Sequence, residues 1–322
     1  MRKMKITIAY ITAREEPRLD WLVSGLQEQA EKRDEIELVV VDALGRPASA
    51  IGYRPIRAIK RLVETRPKPS IWQGPHRITA HEFFANANAR NTAIVLCSND
   101  YVCFLDDRCQ LDPGWLEQVR IGERRRSSVI CGPYDKHEDR GVSVDHRRER
   151  APQGRRNCGG GWCYGGNFAL PLRWLLEVNG CEEGCDPVGL EDCVLGIMLE
   201  NTGRRIDFVT EMSVQQDRTG FVHPLDYPRH DKGKSPDDKS HAIRARFFGR
   251  KRTEFTPDLR ALRKLARKKQ AFPIPDPDAD YRDWYDGASI RGFAIPSDER
   301  IARARGVGEY EISGQSRPSS FR

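Results

Sequence analysis

The chain has 322 residues, 38% of them apolar and 31% charged. That length suits one large domain or two ordinary ones, with enough apolar residues for a core yet a polar balance for a compact enzyme. Its 54 Lys and Arg against 47 Asp and Glu leave a net charge of +7. No apolar run approaches the roughly 18–20 residues of a helical membrane span, which excludes an integral helical membrane protein.

The charge excess is local. Residues 241–322 hold 18 basic and 11 acidic side chains, and residues 241–270 hold 11 basic and only two acidic ones, Glu254 and Asp258. A focused basic patch attracts polyanions such as nucleic acid or an anionic membrane surface. The same run also reads as a solvated helix face. Among the nine cysteines, Cys97, Cys103, Cys109 and Cys131 sit in or beside apolar runs as small core side chains. An odd count and no signal peptide predict reduced thiols and a cytoplasmic setting. Cys158, Cys163, Cys181 and Cys185 form an irregular array that a zinc ion could use.

Residues 4–12 (MKITIAYIT) predict a buried strand. Residues 18–31 place Leu19, Leu22, Val23 and Leu26 at helical spacing, and 36–41 (IELVVV) form an apolar strand closed by Asp42. Strand, helix, strand is a βαβ unit of a parallel sheet. Residues 66–80 read as a loop and 83–96 as a helix. The strand 101–105 (YVCFL) ends in Asp106-Asp107, and Asp112-Pro113 reads as the capped start of a helix. A short strand covers 128–133. Residues 135–158 are charged without an apolar run and predict a mobile loop. A Gly-rich, aromatic segment spans 159–170, a helix 189–200 and a strand 205–214. Residues 257–270 place Leu259, Leu262, Leu265 and Ala266 on one helical face among basic residues, and the last dozen residues read as disordered.

Asp42 and Asp106-Asp107 end hydrophobic strands. In open α/β sheets ligands bind outside the carboxyl ends of the strands. Carboxylates there suit ribose hydroxyls, base donors or a divalent metal that bridges phosphates. A lone Asp at such a place is as well explained by a turn or a cap.

With these residues in view, the chain resembles a family 2 glycosyltransferase of the GT-A fold. Four blocks carry the likeness over roughly residues 4–220: Ile6–Arg14 with Val39-Val40-Val41-Asp42; Ala89-Arg90-Asn91-Thr92-Ala93-Ile94 shortly before Tyr101–Asp107; Gly165-Gly166-Asn167-Phe168-Ala169; and Val178-Asn179-Gly180-Cys181 with Gly189-Leu190-Glu191-Asp192. The resemblance implies a Rossmann-like, mostly parallel sheet with helices on both faces over 1–222. A basic linker and helical extension over 223–272 and a poorly ordered tail over 273–322 follow it. It implies a nucleotide diphosphate sugar as donor, UDP-sugar favoured, and inverting transfer of a hexosyl or pentosyl group. Thr12, Ala13, Arg14 and Asp42 match the base and ribose end of the donor, and Arg90 its phosphates. Asp106, Asp107 and Arg108 occupy the Asp-x-Asp motif. Trp162, Gly165, Gly166, Asn167 and Glu191 fall on the sugar and acceptor side. Asp192 matches the general base.

Relatives use Mn2+ or Mg2+ at that motif, held here by Asp106 and Asp107 and, from further along the chain, His223. Arg108 stands where the motif's last acid belongs and cannot ligate a cation, so either an acid of the pair binds metal or Arg108 neutralises the phosphates. The acceptor reads as a saccharide or lipid-linked glycan, or as hydroxylated bases of viral DNA. The DNA reading draws on Arg140, Arg147, Arg148, Arg150, Arg155 and Arg156 beside Trp162 and Tyr164. A different class is a nucleotide- or nucleic-acid-binding module on a dead transferase core, which Arg108 favours and Asp192 opposes.

Overall fold

A computed structural model describes residues 3–72, 85–151, 154–186, 190–219, 247 and 249–269. The strands are β1 (Lys5–Thr12), β2 (Glu35–Asp42), β3 (Ile59–Thr65), β4 (Tyr101–Asp106), β5 (Cys109–Leu111), β6 (Val129–Cys131), β7 (Tyr134–Glu138), β8 (Gly141–Ser143), β9 (Arg155–Cys158), β10 (Asn167–Pro171), β11 (Ile206–Val209) and β12 (Val214–Asp217). The helices are α1 (Leu19–Gln29), α2 (Asn86–Leu96), α3 (Trp115–Arg125), the single turn α4 (Arg147–Arg150), α5 (Leu172–Val178), α6 (Glu191–Asn201) and α7 (Leu259–Lys269).

Eight strands form the main sheet in the order β3-β2-β1-β4-β10-β6-β11-β9, and a second sheet runs β5-β12-β7-β8. The pairs β3/β2, β2/β1, β1/β4 and β6/β11 are parallel, whereas β10 runs antiparallel between β4 and β6. The continuous apolar runs of the central strands follow from cover on both faces. Along β1, Ile6, Ile8 and Tyr10 point into one core with α1 and α3, while Ala9 and Ile11 point into the other with α2, α5, α6 and α7. Phe104 stacks on Phe168 at 4.8 Å across β4 and β10. Burying one side chain of this size contributes about 1.5–3 kcal/mol, so these positions fix the register of the strands whose ends form the crevice.

Three expectations need correction, and one strand lies where none was expected. The strand β3 lies at a sheet edge within a stretch the sequence left unassigned; it is half exposed and lacks a buried apolar run. Residues 135–158 are not a structureless loop but form β7, β8, α4 and β9. Ion pairs replace apolar packing there: buried Arg147 pairs with Asp145 at 2.5 Å and Arg148 with Asp135 at 2.7 Å. Asp112 does not cap α3, which starts at Trp115 after Gly114 in a left-handed conformation; the Asp112 carboxylate instead accepts from Gln215 at 2.9 Å. The single strand expected over 205–214 is two, β11 in the main sheet and β12 in the small one.

The basic helix α7 packs on α2. Leu259, Leu262 and Ala266 are buried in the same core as Ile94 and Val95. Arg263 is only 5% exposed and turns inward. Its Nη1 donates to the carbonyls of Ile94, of Val95 at 3.2 Å and of Cys97 at 2.9 Å. These are carbonyls that the end of α2 leaves without intrahelical partners, so Arg263 caps that helix from outside. All nine cysteines are free. Among the described residues no group of three His, Cys, Asp or Glu is placed to hold a metal ion, so the zinc array is not formed there.

Candidate active site

Strand register assembles the site. Thr12 pairs with Asp42, and Ile11 with Asp106, so three parallel strands bring their carboxyl ends to one line. Asn167 at the start of β10 pairs with Leu105, which sets Gly165-Gly166 beside Asp106. The sheet therefore gathers the strand-end acids and the glycine segment on one rim.

At one end of this crevice Asp42 is buried and accepts from the backbone N–H groups of Leu44 at 2.9 Å and Arg46 at 3.2 Å. Arg46 Nε pairs with Asp42 Oδ2 at 2.8 Å, and its Nη2 donates to the Arg14 carbonyl at 2.5 Å. Arg14 Nε in turn lies 2.9 Å from Asp107 Oδ1, while Thr12 Oγ1 donates to Asp107 Oδ2 at 2.7 Å. Burial pushes the Asp107 carboxyl up to about 6, against the opposing pull of Arg14 and Thr12.

The other end is built on Arg90, from α2. Its Nη2 donates to Asp106 Oδ1 at 2.9 Å and its Nη1 to Glu191 Oε1. Glu191 and Asp192 open α6, and the two share a site but differ in setting. Glu191 is buried and its carboxyl is pushed up to about 7, by burial first, with Asp192 and Asp106 adding and Arg90 opposing. Asp192 is partly exposed; its Oδ2 accepts the Gly165 N–H at 2.5 Å and its Oδ1 the Cys193 N–H at 2.7 Å. A Cβ at Gly165 would overlap the Arg90 guanidinium, and one at Gly166 the Tyr134 ring. Here glycine permits close approach where any side chain would collide.

Asp42, Arg14, Thr12, Asp107, Asp106, Arg90, Glu191, Asp192, Gly165 and Gly166 thus lie in one connected network. Ala13 sits within it, between Thr12 and Arg14. Trp162 is half-buried and packs edge-on to Phe208, with ring centroids 5.2 Å apart. Asn167 is buried, and its amide ties three segments: it accepts from Trp115 Nε1 and donates to the Pro133 and Met212 carbonyls. His223 lies outside the described residues, as do Gly189 and residues 241–246.

Sequence reasoning missed four members. Arg46 holds Asp42. The Tyr134 hydroxyl donates to Gln216 Oε1 at 2.7 Å and lies 3.2 Å from Asp106 Oδ2, and Asp217 pairs with Arg108. None of the four belongs to a motif picked out in the sequence, so the sequence carried no signal for them.

The donor set does not fit a resident divalent cation. Asp106 accepts on Oδ1 from Arg90, and its Oδ2 lies 3.2 Å from the Tyr134 hydroxyl, which donates at shorter range to Gln216. Asp107 is engaged by Arg14 and Thr12. Asp217 is engaged on Oδ2 by Arg108 and on Oδ1 by the Thr219 N–H at 2.8 Å and hydroxyl at 2.6 Å. Five of the six carboxylate oxygens thus have a protein donor of their own, and a hard cation taking more than one ligand here would have to displace some of them.

The fold, with acids at the carboxyl ends of its parallel strands, is that of the GT-A type. Residues 72–182 match the family profile of Glycosyl transferase family 2. Residues 1–349 of S. aureus TarS, solved in complex with UDP, superpose with a TM-score of 0.50 at 16% identity, over 66% of this chain and 60% of that one. GalNAc-T7, solved with UDP, GalNAc and Mn2+, gives a TM-score of 0.48 at 12% identity, over 96% of this chain and 57% of that one. The chain therefore spans somewhat over half the length of these structures. No curated protein matches the sequence. Among the described residues no helix is long and apolar enough to cross a membrane.

Proposed function

We propose that the protein transfers a sugar from a nucleotide diphosphate sugar, UDP-sugar favoured, to an acceptor hydroxyl, with inversion at the anomeric carbon. The observation that carries this reading is the contact network from Asp42 through Arg14 and Asp107, and from Asp106 through Arg90 to Glu191, beside Asp192. Thr12, Ala13 and Asp42 take the nucleoside end, and the Arg14 side chain extends from there to Asp107 and the diphosphate. The diphosphate lies against the segment of Asp106, Asp107 and Arg108. Gly165 and Gly166 admit the sugar, and Asn167 positions them.

Asp192 is the general base. The acceptor oxygen bonds to the anomeric carbon as the bond from that carbon to the phosphate oxygen breaks. The electron pair leaves with the diphosphate, and the acceptor proton goes to Asp192. General base help of this kind contributes about 10²–10⁴-fold. Glu191 is buried against Arg90 and serves to hold it; Asp192 keeps an exposed face, which suits the base role. That face also argues against a dead binding module.

The acceptor is a saccharide or lipid-linked glycan. Three of the arginines behind the DNA reading are engaged inward, Arg147 with Asp145, Arg148 with Asp135 and Arg155 with Asp207, which weakens it. Nine free cysteines fit a reducing, cytoplasmic setting. The test is thermal stabilisation by a panel of nucleotides and nucleotide sugars, since ligands that bind the native state raise its midpoint. UDP and at least one UDP-sugar should raise it; no shift with any member contradicts the reading.

A further inference from the structure

We infer that the guanidinium groups of Arg14 and Arg108 take the place of a divalent cation at the donor diphosphate, so that this protein binds its donor without metal. The inference rests on the donor reading above. A diphosphate in this crevice needs nearby positive charge, both to bind and to leave. Two sources can supply it, a bound cation or fixed arginines.

The carboxylates speak against the first. Asp106, Asp107 and Asp217 offer six oxygens, and five of them, all but Asp106 Oδ2, already accept from a protein donor of their own. Three of those donors are guanidinium groups, Arg90 being shared between Asp106 and Glu191.

The arginines speak for the second. Arg14 and Arg108 flank Asp107, and their side chains keep 20% and 17% exposure, in contrast to the 3% of Arg90 beneath the glycines. Arg108 is also held in place. Its N–H donates to the Pro17 carbonyl at 2.8 Å, and its own carbonyl accepts from Asp217 N at 3.0 Å. It adopts a left-handed backbone with φ 54°, a conformation that favours Gly or Asn. The Arg108 Nε is enclosed yet has no acceptor among the described residues. A planar guanidinium presents several donors, so Arg108 can hold Asp217 by one nitrogen and reach a phosphate oxygen by another.

The experiment is calorimetric titration of UDP into the full chain, in EDTA and again in Mn2+. The inference predicts affinities in the two buffers that agree within about threefold. Binding seen only with Mn2+, or tighter there by about tenfold or more, overturns it and leaves the donor reading standing. Absence of UDP binding in both buffers overturns the two together. The Arg108→Gln variant, checked for an intact melt, should lose about tenfold in EDTA, and Arg108→Lys should recover part of that loss. Arg108→Asp, which restores an acid, should make UDP binding depend on Mn2+. Unchanged affinity of Arg108→Gln and Arg108→Asp in EDTA contradicts the role of Arg108. As a readout independent of affinity, adding the UDP-loaded wild-type chain in excess to Mn2+ should not produce the paramagnetic resonance spectrum of a protein-bound ion; appearance of a bound-Mn2+ signal contradicts the inference.

Discussion

The Gly165 backbone N–H donates to Asp192 Oδ2 at 2.5 Å, which joins the glycine segment before β10 to the first turn of α6. The same glycine lies flat on the Arg90 guanidinium, where a Cβ would overlap it. Gly165→Ala therefore has to push Arg90 off Asp106 and Glu191 or shift Asp192. Donor turnover should fall on the order of 10²-fold, because small misplacements of positioned groups cost that much. The check is kcat/KM beside a thermal melt; turnover near wild type would show that Arg90 and Asp192 do not need this approach.

Stability should depend on pH through Glu191. Its carboxyl rises from an ordinary 4.5 to about 7 in the fold. Between those values the folded chain binds more protons than the unfolded chain, so stability falls as pH rises through the window. Asp107, which rises from 3.8 to about 6, acts in the same direction. The Glu191→Gln variant should lose part of this slope, on the order of 2 kcal/mol between pH 5 and pH 8. Denaturant melts across that range supply the test, and equal slopes in both proteins would contradict the assignment.

Arg263→Ala removes the donor to the carbonyls of Ile94, Val95 and Cys97. The fold should lose about 1–3 kcal/mol, the cost of leaving buried acceptors unpaired. Chemical denaturation measures it. A loss well below this range would mean that α7 is not docked on α2.

Arg147 holds the segment from β7 to the glycine run. It pairs with buried Asp145 and donates to the carbonyls of Gly132, at 2.9 Å, and Trp162. Its guanidinium also stacks on Tyr164, 3.9 Å from the ring centroid. Arg147→Ala should destabilise by about 3–5 kcal/mol, since Asp145 is left buried and unpaired. Limited proteolysis should then cut within 135–158 before the main sheet, and an unaltered digestion pattern would contradict this.

The central strands were legible because β1, β2 and β4 are apolar on both faces and end in Thr12, Asp42 and Asp106. The strand β3 was not, because its edge position asks little of its side chains. The segment 135–158 was misread for a related reason. Its order comes from pairs such as Arg148 with Asp135, and charge pairing leaves no period in a sequence. Helix α7 was legible as a helix, but its mate was not, so Arg263 looked like part of a solvent-facing basic run. At the site, individual acids stood out at strand ends. The partnerships did not, since Arg90 meets Asp106 and Glu191 from 16 and 101 positions away, and Arg108 meets Asp217 from 109.

Release of UDP from UDP-sugars by wild type and Asp192→Asn, with UDP affinity measured on both, bears on the proposed chemistry most closely. The wild-type chain should release UDP from at least one donor. The variant should bind UDP as well as wild type yet release it about 10²–10⁴-fold more slowly. Undiminished release by Asp192→Asn, or none by wild type from any UDP-sugar with acceptor glycans present, would contradict the reading of this crevice as a transferase site with Asp192 as its base.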